Sequence, residues 1–172
     1  HMSTLSVDTI QGQTTSTKVK MPAGSILQTV TAEHAAYVTT TASSYSDTGL
    51  SCSITPKYAN SHIIVVVSVQ GAVSGANGHQ AGARVLRTGD STTIGGECQR
   101  WVYGRIEDGS SNMHIGGMKT LIRKDTNHNS TSSQTYKFQH KVISGGGTLR
   151  HNDFSTGSAP EQSTMMLMEI SQ

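Results

Sequence analysis

Residues 62–73 read HIIVVVSVQGAV, a run in which β-branched side chains are nearly continuous. No other feature of the chain constrains its fold as strongly. β-Branched residues lose rotamer freedom in a helix and pack well on a pleated surface, so the run reads as a strand. Because polar residues do not alternate through it, the expectation is a central strand covered on both faces.

Segments of the same kind recur on either side. Strands are predicted at 26–34, 37–41, 50–55, 80–87, 92–105, 113–124, 134–143, 148–151 and 163–170, with Gly, Ser, Asn or Pro in the gaps. In SYSDTGLSCSITP (44–56), a Ser/Asp/Thr/Gly turn precedes the alternation of Leu50, Cys52 and Ile54, and Pro56 ends it. Asn77-Gly78 is a strong hairpin signal, Glu107-Asp108-Gly109 reads as a second hairpin turn, and Gly145-Gly146-Gly147 permits a tight turn. No segment carries a capped 3.6-residue stripe; the one contender, 32–38, runs straight into TTTASS. The pattern predicts an all-β fold, a jelly-roll-like β-sandwich rather than an immunoglobulin arrangement because the connections are long.

The 172 residues suit one domain plus a short appendage. His1-Met2 reads as a cloning remnant and 3–21 as a shaft-like connector, too poor in apolar residues to fold alone. Residues 22–172 form the sandwich domain. Only 14% of residues are charged, and the net charge is +2. The densest basic run, 119–124, forms no stripe, which argues against a nucleic-acid partner. No window approaches the roughly 18 apolar residues of a membrane span and no signal peptide is recognised, so a soluble product with no membrane insertion is expected. Two cysteines make no disulfide scaffold; Cys52 reads as a small buried hydrophobe, and a reducing site of assembly fits.

Chemistry is sparse. The eight histidines show no HxH, HxxxH or HExxH spacing, so no metal site is read from them, although a three-fold assembly could gather copies of His114 or His140 on its axis. Asp125-Thr126-Asn127-His128-Asn129 opens like a calcium loop, but Ser130 and Tyr136 stand where that loop needs Gly and Glu, so a polar hairpin loop is expected. Glu97, Glu107 and Asp108 are the only suggestive acidic group, and no GxSxG elbow occurs. The chain therefore reads as a non-enzyme without cofactor. Trp101 and Tyr103, two residues apart, are placed on one strand face, where aromatic rings could stack on sugars; the competing reading is core or subunit-interface packing. The candidate ligand-binding set is Trp101, Tyr103, Arg105, Asn77, His79 and Asn112, with loops 74–79, 107–112 and 145–147 at one end and 125–133 and 152–161 at the other.

LSVDTIQG, VKMPAGSILQTV, SYSDTGLSCSITP, IIVVVSVQGAV and the terminal MMLMEI together resemble tail-fibre and virion structural proteins of tailed phages, especially those of marine bacteria. The resemblance covers the first third and the last strand, leaves 74–161 unmatched, and hands over no site residues. It implies a fibre or tip protein, usually trimeric, whose C-terminal domain meets the host. The expected function is attachment to a host cell-surface polysaccharide or lipopolysaccharide by multivalent contacts. The expected partners are two further copies of the chain and other virion tail proteins, in a virion assembled in the host cytoplasm. A purely structural virion protein and a small glycan esterase or depolymerase are the alternatives.

Overall fold

The computed structural model describes residues 21–75, 79–104, 113–152 and 162–172. The readings placed on residues 1–20 lie outside them. Ten strands run in chain order: β1 (Ile26–His34), β2 (Val38–Thr40), β3 (Ser46–Ile54), β4 (His62–Gly75), β5 (His79–Arg87), β6 (Thr92–Gly104), β7 (Met113–Asp125), β8 (Gln134–Ser144), β9 (Thr148–His151) and β10 (Ser163–Ile170). There is no helix among the described residues. The strands form two antiparallel sheets, and the protein is a β-sandwich. Sheet A has the order β1-β10-β4-β9-β2, with β7 on the other edge of β4; sheet B has the order β3-β8-β5-β6.

The pairing is nested. β5 pairs with β6, β4 with β7, β3 with β8 and β1 with β10, each couple enclosing the one before it in sequence. Only β5 and β6 form a hairpin between consecutive strands, so other turn signals mark crossings from one sheet to the other. Asn77-Gly78 lies outside the described residues, but the strands it separates, β4 and β5, belong to different sheets and make no hairpin. Residues 126–133 carry the chain from β7 in sheet A to β8 in sheet B, not around a hairpin, and 145–147 carry it back to β9. Glu107-Asp108-Gly109 also lies outside the described residues, between strands of different sheets.

The predicted turn at 44–49 is corrected as well. Ser46 to Gly49 already belong to β3, where the register with β8 shifts between Asp47 and Ser51. Gly49 has φ +88°, and the residue absorbs the extra length as a bulge. A side chain there would also collide with the His34 ring reaching across from β1.

Between the sheets, Ile63, Val65, Val67 and Val69 of β4 meet Leu50, Ile54, Val85, Tyr136 and Phe138, all essentially inaccessible. The outward residues Ile64 and Val66 are only half-buried, so over 62–68 the strand is covered on one face, whereas every residue from Val69 to Val73 is buried, as expected of a strand covered on both. One tie between the sheets is ionic. Arg87 of β5 donates to Asp125 of β7 (2.6 Å), whose carboxylate also accepts from the Tyr136 hydroxyl of β8 (2.7 Å). Asp125 is thereby engaged in the frame. At the foot of sheet A, buried Glu169 accepts hydrogen bonds from the Lys57 and Tyr58 amides and the Ser61 hydroxyl. Burial alone would raise its pKa, but these donors hold it below the usual carboxylate range.

Candidate functional site

The residues proposed from sequence separate. Trp101 is buried: its indole lies over Gly71 of the facing sheet and meets Phe138 edge-on, ring centroids 5.3 Å apart. His79 is equally enclosed, its ring against Gly75 and Gly147. Neither side chain is open to a ligand approaching from outside. Tyr103 is exposed on sheet B beside Gln80, with the Arg100 guanidinium 5.7 Å from its ring. Arg105, Asn77 and Asn112 lie outside the described residues.

Trp101 and Tyr103 part company because β6 bulges. Ala81 pairs with Val102 but Ala83 pairs with Cys98, so two extra residues are inserted in β6. Trp101 and Val102 consequently both turn inward, and strict alternation resumes only at Tyr103.

The ends of the sandwich are partly as expected. Ser74 pairs with Thr148, Gly75 with Met113, His79 with Gly104 and Gln80 with Ser144, which brings the ends of β4, β6 and β8 and the 145–147 connection together. Asp125 and the connection following it lie at the opposite end, beside Ile63. Asn152 and Ser163 do not belong there. The edge of β4 passes from β10 to β9 between Ser68 and Gly71, and Asn152 and Ser163 both stand at this midpoint.

Outward side chains of sheet B make a connected polar surface that the sequence reading missed. Asp47 of β3 accepts hydrogen bonds from Lys137 Nζ and Gln139 Nε2 of β8, both at 2.6 Å. Gln139 Oε1 accepts from Arg84 Nε of β5 at 2.8 Å, and Arg84 Nη1 donates to Thr93 Oγ1 of β6 at 3.2 Å. A single chain of hydrogen bonds thus crosses all four strands. The Tyr45 ring lies 4.3 Å from both the Arg84 Cζ and the Lys141 Nζ. Lys141 in turn reaches Glu97 at 3.4 Å, and Gln99 donates to the same carboxylate at 2.7 Å. Gly82 makes room for the ring: a side chain there would press on the Tyr45 hydroxyl and Lys141.

Electrostatics keep these groups in defined states. The Lys137 hydrogen bond lowers the Asp47 pKa. Burial, and then the neighbouring Glu97 carboxylate, raise the Tyr45 phenol, so it stays a neutral donor. Arg84 forms an ion pair with none of the described carboxylates. Beside Asp47, a pocket of about 160 Å³ is lined by Gly49, Leu50, Ser51 and Lys137. That is below the ~300–1,000 Å³ of small-molecule sites, so it suits the edge of a larger ligand.

Histidines contribute to the core instead. His34, His140 and His151 line up between the sheets, with centroid separations of 5.8 Å and 6.1 Å along the row. His140 is fully buried, so its copies cannot meet on a symmetry axis. The side chain of His114 lies outside the described ones. Among the described residues, no three His, Cys, Asp or Glu side chains are placed to hold a metal ion.

No known family model matches the chain, and no curated protein matches it significantly.

Proposed function

We propose that this chain is a virion attachment module, a tail-fibre tip that holds a host-surface polysaccharide or lipopolysaccharide on the outer face of sheet B. The observation that carries the proposal is the four-strand array. It places amide, guanidinium, ammonium and carboxylate groups around the Tyr45 ring, all fixed by one another before a ligand arrives. Sugars offer hydroxyls to such a fan of donors and acceptors and C–H faces to aromatic rings. A preorganised array loses little entropy on binding, which is how a shallow surface gains useful affinity. Tyr103 and Gln80 extend the surface toward the end where β4, β6 and β8 finish.

The nested pairing supports a jelly roll, since a double strand folded back on itself gives this order, and that architecture serves lectins and viral shells alike. Attachment by several copies, with a trimer as the expected assembly, would multiply a weak single-site affinity.

Binding of the full chain to host polysaccharide tests the reading, with Arg84→Ala and Tyr45→Ala as probes. Either substitution is expected to weaken binding about ten-fold, through one lost charge-assisted hydrogen bond for Arg84 and one lost ring contact for Tyr45, while leaving the strand signal in circular dichroism unchanged. Wild-type affinity in both folded variants would remove sheet B from the function.

A further inference from the structure

The outer face of sheet A has the opposite character. On β10, Met166 and Met168 point outward and lie beside Val66 and Ile64 of β4, and Ile122 of β7 continues the Met166–Val66 row. Ile122 is 60% exposed and Met118, on the same strand, 55%. Threonines and one glutamate on β1 border the patch on one side, Lys124 of β7 stands beside Ile64 on the other, and the row Thr164, Ser68 and Thr120 lies between Ile122 and Met118. On sheet B the equivalent outward positions hold Lys137, Gln139, Lys141 and Arg84. Two outer faces of one sandwich thus differ as a protein interior differs from a surface. A contiguous apolar face of this kind is a mark of protein contact.

We infer that this face is covered by another copy of the same chain, and that copies assemble with sheet A inward and sheet B outward. The inference rests on the proposed attachment module and assigns its assembly surface. Four strands about 4.8 Å apart, paired over about eight residues of 3.3 Å rise, give a face of about 500 Å². Two such faces bury about 1,000 Å² together, the size at which a specific interface becomes tenable. Exposed Lys119 and Lys124 on β7, one of the edge strands of sheet A, oppose joining edge to edge on that side.

The chain termini agree with this orientation. Gly24 N–H donates to the Ser171 carbonyl at 2.8 Å and Ser171 N–H to the Ser25 carbonyl at 2.9 Å, so Gly24 and Ser25 lie at the foot of the apolar face. Copies packed through sheet A about an axis along the strands would bring these feet side by side. The end where β4, β6 and β8 finish would then point away from the rest of the particle.

The test is the absolute mass of the full chain at micromolar concentration. Wild type is expected at a multiple of 18.2 kDa, and Ile122→Glu at the single-chain mass with its strand signal retained. Lys137→Glu, on the opposite sheet, should leave the multiple intact. A wild-type protein at single-chain mass overturns the inference, as does an assembly that withstands both Ile122→Glu and Met166→Glu. Should those variants not fold, peroxide oxidation of Met118 in the wild type replaces them. It should slow several-fold as concentration rises through assembly, and a concentration-independent rate overturns the inference. Glycan binding distinguishes the two ideas: its absence in a correctly assembled wild type would count against attachment and leave the interface standing.

Discussion

At the scale of single residues, the closest constraint in the molecule is the absence of a side chain at Gly71. A methyl group there would fall inside the van der Waals envelope of the Trp101 ring. Gly71→Ala is therefore expected to destabilise by about 1–3 kcal/mol, the usual cost of overpacking, as a lowered urea midpoint. In a Trp101→Phe background the same change should cost less, because the smaller ring relieves the collision. Equal costs in the two backgrounds would show that indole and glycine are not coupled. Gly117, with open space where its side chain would stand, is the control, and alanine there should be close to neutral.

The histidine row gives a second prediction at this scale. Burial lowers His140 to about 4, and burial together with repulsion from His140 and His34 lowers His151 to about 3. Both folded values lie below the ordinary 6.5. Above pH 6.5 neither state binds the proton and stability is unaffected; below it the unfolded chain takes up protons that the native core refuses. Stability should thus fall as the pH drops from 6.5 toward 4, by on the order of 3 kcal/mol for His140 alone. Glu169 and Asp47, with lowered pKa values, add losses only in the carboxylate range. The slope between pH 6.5 and ~5, above the carboxylate range, therefore isolates the histidines; burial lowers His62 as well, so His140→Phe should remove about a third to a half of it. An unchanged slope would mean that His140 is protonated in the native core.

At the scale of elements, what holds one sheet to the other at its lower end is Arg87, Asp125 and Tyr136, from β5, β7 and β8. Arg87 and Asp125 are both nearly inaccessible. Asp125→Ala leaves the guanidinium with only the exposed Asp90, and a loss of about 3 kcal/mol or more is expected in chemical denaturation. Replacing both partners by apolar residues, as in Arg87→Met with Asp125→Leu, should recover much of that loss, since no uncompensated charge is then buried. The strands themselves were legible because alternation reports one buried face, and the predicted segments coincide with β1 to β10 apart from their ends. Their partners were not legible. Asn77-Gly78 signals a reversal of direction equally well whether the next strand joins the same sheet or the facing one. Nor does period-2 reading survive a bulge: two inserted residues in β6 sent Trp101 into the core and left Tyr103 outside. The signal that could have found sheet B's array was present in β8, where Lys137, Gln139 and Lys141 alternate with buried Tyr136, Phe138 and His140. Tyr45 could not have been joined to them, because its position over Arg84 and Lys141 depends on which strands of the fold become neighbours.

At the scale of the whole molecule, the proposed function and the proposed assembly would divide the work between the two outer faces, an apolar sheet A joining copies and a polar sheet B meeting the ligand. This division predicts how affinity depends on ligand length. A short oligosaccharide occupies one sheet B at a time, so the assembled wild type and single-chain Ile122→Glu should bind it equally. A long polymer can span several copies, and the second contact then forms at the effective concentration set by the assembly rather than by the solution. Polymer affinity should exceed oligosaccharide affinity by about 10²-fold or more in the wild type, and the excess should vanish in Ile122→Glu. Arg84→Ala should act differently, weakening the oligosaccharide once and the polymer more steeply, because each bridging copy loses the same contact. Titration of both ligands against the three proteins reads this directly. If Ile122→Glu loses the oligosaccharide as well, the ligand must touch both copies at their junction, and sheet B alone is not the site.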